Sequence, residues 1–128
     1  MDIYFKNTKL EKEFSEEKRL ERVHGSLRAK KIRIRLTEFR AASTLYDFWP
    51  PKSGPGRCHE LTGDLKGYLS VDLDHPYRLI FAPLNAPEEN PDSADARLKV
   101  SIPLKPDGGL DWKQVTAIMI TGIEDTHE

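Results

Sequence analysis

Tyr68-Leu69-Ser70-Val71-Asp72-Leu73-Asp74-His75-Pro76-Tyr77-Arg78-Leu79-Ile80-Phe81 decides the fold of this chain. Leu69, Val71 and Leu73 alternate with Tyr68, Ser70 and Asp72, and a period of two marks a half-buried strand. Asp74-His75-Pro76 turns the chain. Tyr77 to Phe81 supplies a second strand, so the stretch predicts a β-hairpin. Arg78 interrupts the apolar run, and alternation puts its guanidinium on the face opposite Tyr77 and Leu79.

Downstream, Leu98, Val100 and Ile102 alternate again, and Asp107-Gly108-Gly109 reads as another turn. Val115 to Ile123 is a β-branched run carrying Ile118, Ile120 and Ile123, suited to a strand buried in the sheet. A loop insertion is expected at about 82–97, where Glu88, Glu89, Asp92 and Asp95 lie among Pro87, Asn90, Pro91 and Ser93. Upstream, Pro50-Pro51-Lys52-Ser53-Gly54-Pro55-Gly56 is a rigid connection that no helix can cross. Before it a helix is expected over Ser26–Ala42. Ile32, Ile34 and Leu36 alternate like a strand there, yet Ala29, Ile32, Leu36 and Phe39 recur at helical spacing, and the flanking Ala and Arg favour helix. Thr8, with Glu11 three residues on, predicts a capping box. It opens a polar helix that runs to Val23 and stops at Gly25. Ile3-Tyr4-Phe5 reads as a short opening strand. The expected architecture is one α+β domain over 1–128, with two N-terminal helices packed on a small, mostly antiparallel sheet.

The composition narrows the function classes. The chain has 128 residues and one cysteine, Cys58, so it has no internal disulfide framework and suits a reducing cytoplasm. No apolar run approaches the ~20 residues of a membrane span, and Met1-Asp2-Ile3-Tyr4-Phe5-Lys6 holds no secretory h-region. A net charge of -1 argues against a nucleic-acid binder at first sight, but the charge is unevenly spread. Residues 1–41 hold 12 Lys+Arg against 7 Asp+Glu, a net of +5, and the remainder nets -6. Arg28, Lys30, Lys31, Arg33, Arg35 and Arg40 form one run that can contact phosphates by charge alone. The same run equally suits a solvated helix face laced with ion pairs.

No cofactor motif appears. The 4 histidines, His24, His59, His75 and His127, show no zinc-site spacing, and Cys58 beside His59 is a poor chelate. Gly63-Asp64-Leu65-Lys66-Gly67 has its glycines too close for a phosphate-cradling loop. His59, Arg78 and His127 stand out by position. Each also has an ordinary role open to it: a turn cap, a cross-sheet ion pair and a chain-end residue.

The segment Arg57-Cys58-His59-Glu60-Leu61-Thr62-Gly63-Asp64-Leu65-Lys66-Gly67, followed by Val71 to Phe81, resembles toxins of the RelE/ParE superfamily, and most of all their HigB-like branch. The ending Ile123-Glu124-Asp125-Thr126-His127 is similar to that family's final strand. The resemblance implies ribosome-dependent cleavage of messenger RNA, with neutralisation by an antitoxin carrying a helix-turn-helix domain. It implies catalytic roles for His59, Arg78 and His127, no metal and no cofactor. Arg57, Lys66, Arg28, Lys30, Lys31, Arg33 and Arg35 become the expected contacts to RNA or ribosome. This chain has Thr62 where relatives often carry lysine and Thr126 where they carry tyrosine, so Lys66 or Arg57 is expected to supply the missing charge. Two other classes fit the resemblance: a ParE-like toxin that binds DNA gyrase without cutting RNA, and a degenerate module that only pairs with an antitoxin.

Overall fold

The computed structural model describes residues 1–84 and 104–125. In chain order the elements are β1 (Asp2–Phe5), α1 (Thr8–Ser15), α2 (Glu17–His24), α3 (Ser26–Ala41), β2 (His59–Glu60), β3 (Leu69–Asp72), β4 (Tyr77–Leu84) and β5 (Ala117–Asp125), with short 3₁₀ turns between them. The class is α+β. Among the described residues the sheet has five strands in the order β1-β5-β4-β3-β2. β1 runs parallel to β5, and the other pairs are antiparallel.

Three N-terminal helices form where two were expected. The first expected helix is broken at Glu16, whose backbone is extended (φ -107°, ψ 111°). Packing explains the break. Phe14 and Leu20 are both buried, yet they would point about 120° apart around one continuous helix. Restarting the helix at Glu17 lets both reach one core. The N-cap is Asn7, not Thr8: its side chain accepts from the Leu10 amide, while Thr8 is already helical. Gly25, at φ 84°, closes α2 as expected.

Over Ser26–Ala41 the helical spacing prevails. Ala29, Ile32, Leu36 and Phe39 are buried and Ile34 is exposed. These residues share a core with one face of the sheet, including Leu69, Val71, Leu79, Phe81, Ile118 and Ile120. Phe39 is central to it, with ring centroids 5.0 Å from both Phe48 and Phe81. Arg28 fastens α3 to the β3–β4 turn. It forks onto the Asp74 carboxylate at 3.0 and 3.1 Å and lies 3.6 Å over the Tyr77 ring. That hydrogen bond holds the Asp74 carboxyl below its ordinary range and the Arg28 guanidinium above its own.

The hairpin forms as expected, with Asp72 opposite Arg78 and Ser70 opposite Ile80. β4 extends to Leu84, so 82–84 are strand where a loop was expected; the rest of the expected insertion and the Leu98–Ile102 alternation lie outside the described residues. The β4–β5 ladder carries a bulge: the partner of Ile80 is Gly122 and that of Phe81 is Ile120, leaving Thr121 extra.

Candidate functional site

Two strand registers build the site. Residues directly opposite one another in a ladder project from the same face. His59 faces Ser70, and Asp72 faces Arg78. Leu69, Val71, Leu79 and Phe81 belong to the core, so His59, Ser70, Asp72 and Arg78 share the opposite, outer face. Glu124 of β5, opposite Arg78, extends it.

The loop before β2 delivers Arg57. Gly56 (φ 65°) and Arg57 (φ 51°) are both left-handed. A Cβ at Gly56 would lie 3.2 Å from Arg35 Nε and from Val71 Cβ, so this turn against the sheet needs glycine. The Arg57 carbonyl then accepts from His59 Nδ1 at 2.7 Å. A carbonyl can only accept, so Nδ1 carries the proton and Nε2 presents its lone pair. Arg78 Nη1 lies 3.4 Å from that nitrogen.

Asp72 holds the cations in place. Its Oδ1 is 3.3 Å from Arg78 Nε, and its Oδ2 is 3.5 Å from Arg57 Nη1. Its backbone carbonyl accepts from Arg35 Nε at 2.7 Å. Two guanidinium groups thus share one carboxylate. Arg57 is exposed, with 58% of its side chain accessible, whereas His59 and Arg78 are buried at 3% and 9%. The Ser70 hydroxyl, opposite His59, finds no hydrogen-bond partner among the described residues. Beside the cluster runs an open groove of about 740 Å³ lined by Lys6, Asp64, Leu65, Tyr68, Met119, Thr121, Gly122 and Glu124.

The structure therefore brings His59, Arg78 and Arg57 together. His127 and Thr126 lie outside the described residues. Lys66 is exposed on the border of a second hollow, with Thr62 and Gly63. The basic run of α3 is partly engaged within the chain. Arg28 holds Asp74, Arg33 lies 3.6 and 3.7 Å from Glu17 and Glu21, and Arg35 pairs with Glu38 at 2.6 Å. Lys30 and Arg40 are exposed. Cys58 is wholly buried, and burial, with Glu60 nearby, pushes its thiol far above the ordinary range, so it is no nucleophile. Among the described residues no three His, Cys, Asp or Glu side chains are grouped to hold a metal ion, and no helix is long and apolar enough to cross a membrane.

Sequence reasoning missed Asp72 as part of the site. The signal was present in the hairpin. With Asp74-His75-Pro76 as the turn, residues equidistant from His75 pair, and that sets Asp72 against Arg78.

No protein-family model matches the chain, and no curated protein matches it. Among solved structures, the YoeB-YefM complex from Staphylococcus aureus is similar at a TM-score of 0.46 and 16% identity, over 100% of this chain and 98% of that chain. A TM-score that low leaves fold and function to be argued from the chain's own residues.

Proposed function

We propose that this chain is the toxin of a type II toxin–antitoxin system and that it cuts messenger RNA on the ribosome without a metal. The observation that carries the reading is the contact between the Nε2 lone pair of His59 and the Arg78 guanidinium, 3.4 Å apart, on the outer sheet face. RNA is cut when the ribose 2′-OH gives up its proton and attacks the adjacent phosphorus. The 5′-oxygen then leaves with a proton from an acid, and a 2′,3′-cyclic phosphate remains. Such a reaction needs a base, an acid and a cation for the charged phosphorane. His59 is the base, because its Nδ1 proton is committed to the Arg57 carbonyl. Arg78, aided by Arg57, stabilises the phosphorane oxygens. His127 is the acid. The partners are the ribosome, its mRNA and a helix-turn-helix antitoxin, and the setting is the cytoplasm.

Induction of the chain, followed within minutes by mapping of mRNA 5′ ends, tests this. Codon-phased cuts are expected, weakened ~10²–10⁴-fold in His59→Ala and lost in Arg78→Lys, whose ammonium cannot bridge His59 and Asp72 together. Intact mRNA in arrested cells would sink the nuclease. A second reading rests on the burial of His59 and Arg78 within their own contacts. In it the cluster is a structural staple, and the chain acts by binding, either to DNA gyrase or to an antitoxin alone. DNA damage without cuts would select the former, and neither effect the latter.

A further inference from the structure

At the start of β5, far from His59, the chain gathers aromatic rings in a way the proposed chemistry does not use. Tyr46 and Trp49 stack with centroids 5.7 Å apart and planes 20° apart. Trp112 meets Trp49 edge-on at 5.2 Å. Trp112 is buried and anchors the group, but Tyr46 and Trp49 each remain 42% exposed. Exposure of this kind leaves large apolar rings in water at a cost of ~25 cal/mol per Å², and a folded chain of this size rarely clusters them without a partner.

The surroundings say what kind of partner. A hollow of about 360 Å³ is lined by these three rings with Lys105, Asp111 and Lys113. The Asp111 carboxylate caps the turn that follows, accepting from the Lys113 amide at 3.2 Å, and the two lysines outnumber it. Lys113 Nζ lies 4.8 Å over the Tyr46 ring. Lys105 is fixed on a tight turn, its amide donating to the Gly109 carbonyl at 2.7 Å. Two ammonium groups therefore border a stack of π faces. A cationic ligand is repelled, and a purely apolar one leaves the lysines unused. A planar base with a phosphate attached satisfies both: the base stacks on the rings, and the phosphate meets the ammonium groups.

We infer that Tyr46, Trp49, Lys105 and Lys113 form a platform for one nucleotide of single-stranded RNA. β5 runs from Ala117, beside the platform, to Glu124, opposite Arg78. At about 3.3 Å per residue the two places are roughly 23 Å apart. One nucleotide cannot touch both, so the platform holds the strand at a distance from the cut. The choice of RNA rests on the nuclease reading, while the platform itself stands on its own geometry.

Trp49 and Trp112 are the chain's 2 tryptophans, so tryptophan emission, excited selectively, reports on this place alone. Titration of the full chain with a six-nucleotide adenine oligoribonucleotide should quench it, and more weakly as salt rises. Anisotropy of the same hexamer, fluorescein-labelled, should show about tenfold weaker binding for Trp49→Ala and partial retention for Trp49→Phe. A Lys105→Gln/Lys113→Gln variant, altered only at exposed positions, should lose affinity and salt dependence together. No quenching, or unchanged affinity in both Trp49→Ala and the lysine variant, overturns the platform. So does quenching by an acidic or proline-rich peptide where RNA gives none. Codon-phased mRNA cutting without quenching removes the platform and leaves the nuclease. Quenching without cutting keeps the platform and removes the nuclease.

Discussion

Replacing Arg78 by methionine keeps the length and apolar bulk of the side chain but deletes its charge. The Asp72 carboxylate, 26% exposed, then loses the guanidinium at 3.3 Å and keeps only Arg57 at 3.5 Å, whose side chain is largely in water. Breaking a fully buried ion pair costs ~3–5 kcal/mol. Asp72 is a quarter exposed and retains one partner, so about half of that, ~2 kcal/mol, is expected here. For a chain of this length that corresponds to roughly 6–10 °C in Tm. Asp72→Asn removes the carboxylate and should itself cost ~1–2 kcal/mol, because Arg78 stays buried beside His59. In the double variant neither charge of the pair remains, so its loss should fall short of the sum of the single losses by about 1 kcal/mol or more. Urea denaturation of the four proteins, read by circular dichroism, measures this cycle. Additivity within ~0.5 kcal/mol, or an unchanged midpoint in Arg78→Met, would refute the claim that one carboxylate organises the site.

The Arg28–Asp74 pair gives a pH signature. The depressed carboxyl of Asp74 contributes stability above its unfolded pKa of about 3.9, and that contribution fades as pH falls through its lower folded value, so Arg28→Gln should flatten the acid limb of a stability–pH curve. Phe39→Ala empties a fully buried position packed on Phe48 and Phe81 and should cost ~3–5 kcal/mol by calorimetry. Gly56→Ala forces a Cβ to 3.2 Å from Arg35 and Val71 at φ 65° and should cost ~1–2 kcal/mol by denaturant melt, whereas an unchanged midpoint would mean the turn relaxes freely.

Period-two patterns were the most legible part of the sequence. The first strand of the hairpin over Leu69–Phe81 follows from alternation, and the strand from Ala117 from its β-branched run. Helix boundaries were less legible. Asn7 and Thr8 are adjacent and both suited to capping, and Asn7 takes the role, its side chain accepting from the Leu10 amide. The break at Glu16 has no Pro or Gly to announce it. Its trace is the six-residue step from Phe14 to Leu20, which no single helix face accommodates. Of the site, Arg78 was visible as a charge in an apolar strand and His59 by its position ahead of the hairpin's first strand. Asp72 looked like one more solvent-facing polar residue, since its role depends on which residue the turn sets opposite it. The ion pairs of Arg33 with Glu17 and Glu21 depend on how helices cross, which is not written in spacing, whereas Arg35 and Glu38 stand three apart on one helix.

The extra residue Thr121 acts on β5 as an inserted letter acts on a reading frame. Upstream of it Ile118 and Ile120 occupy the inward register; downstream the inward place passes to Ile123, an odd step that strict alternation forbids. Were Thr121 drawn into regular pairing opposite Ile80, everything beyond it would shift by half a period, driving Glu124 towards the core and lifting Ile123 into water. The end of the strand beside Arg78 is therefore phased independently of its beginning. Substitutions among the core isoleucines and substitutions beside the arginine can accumulate separately, provided the single misfit between them is kept.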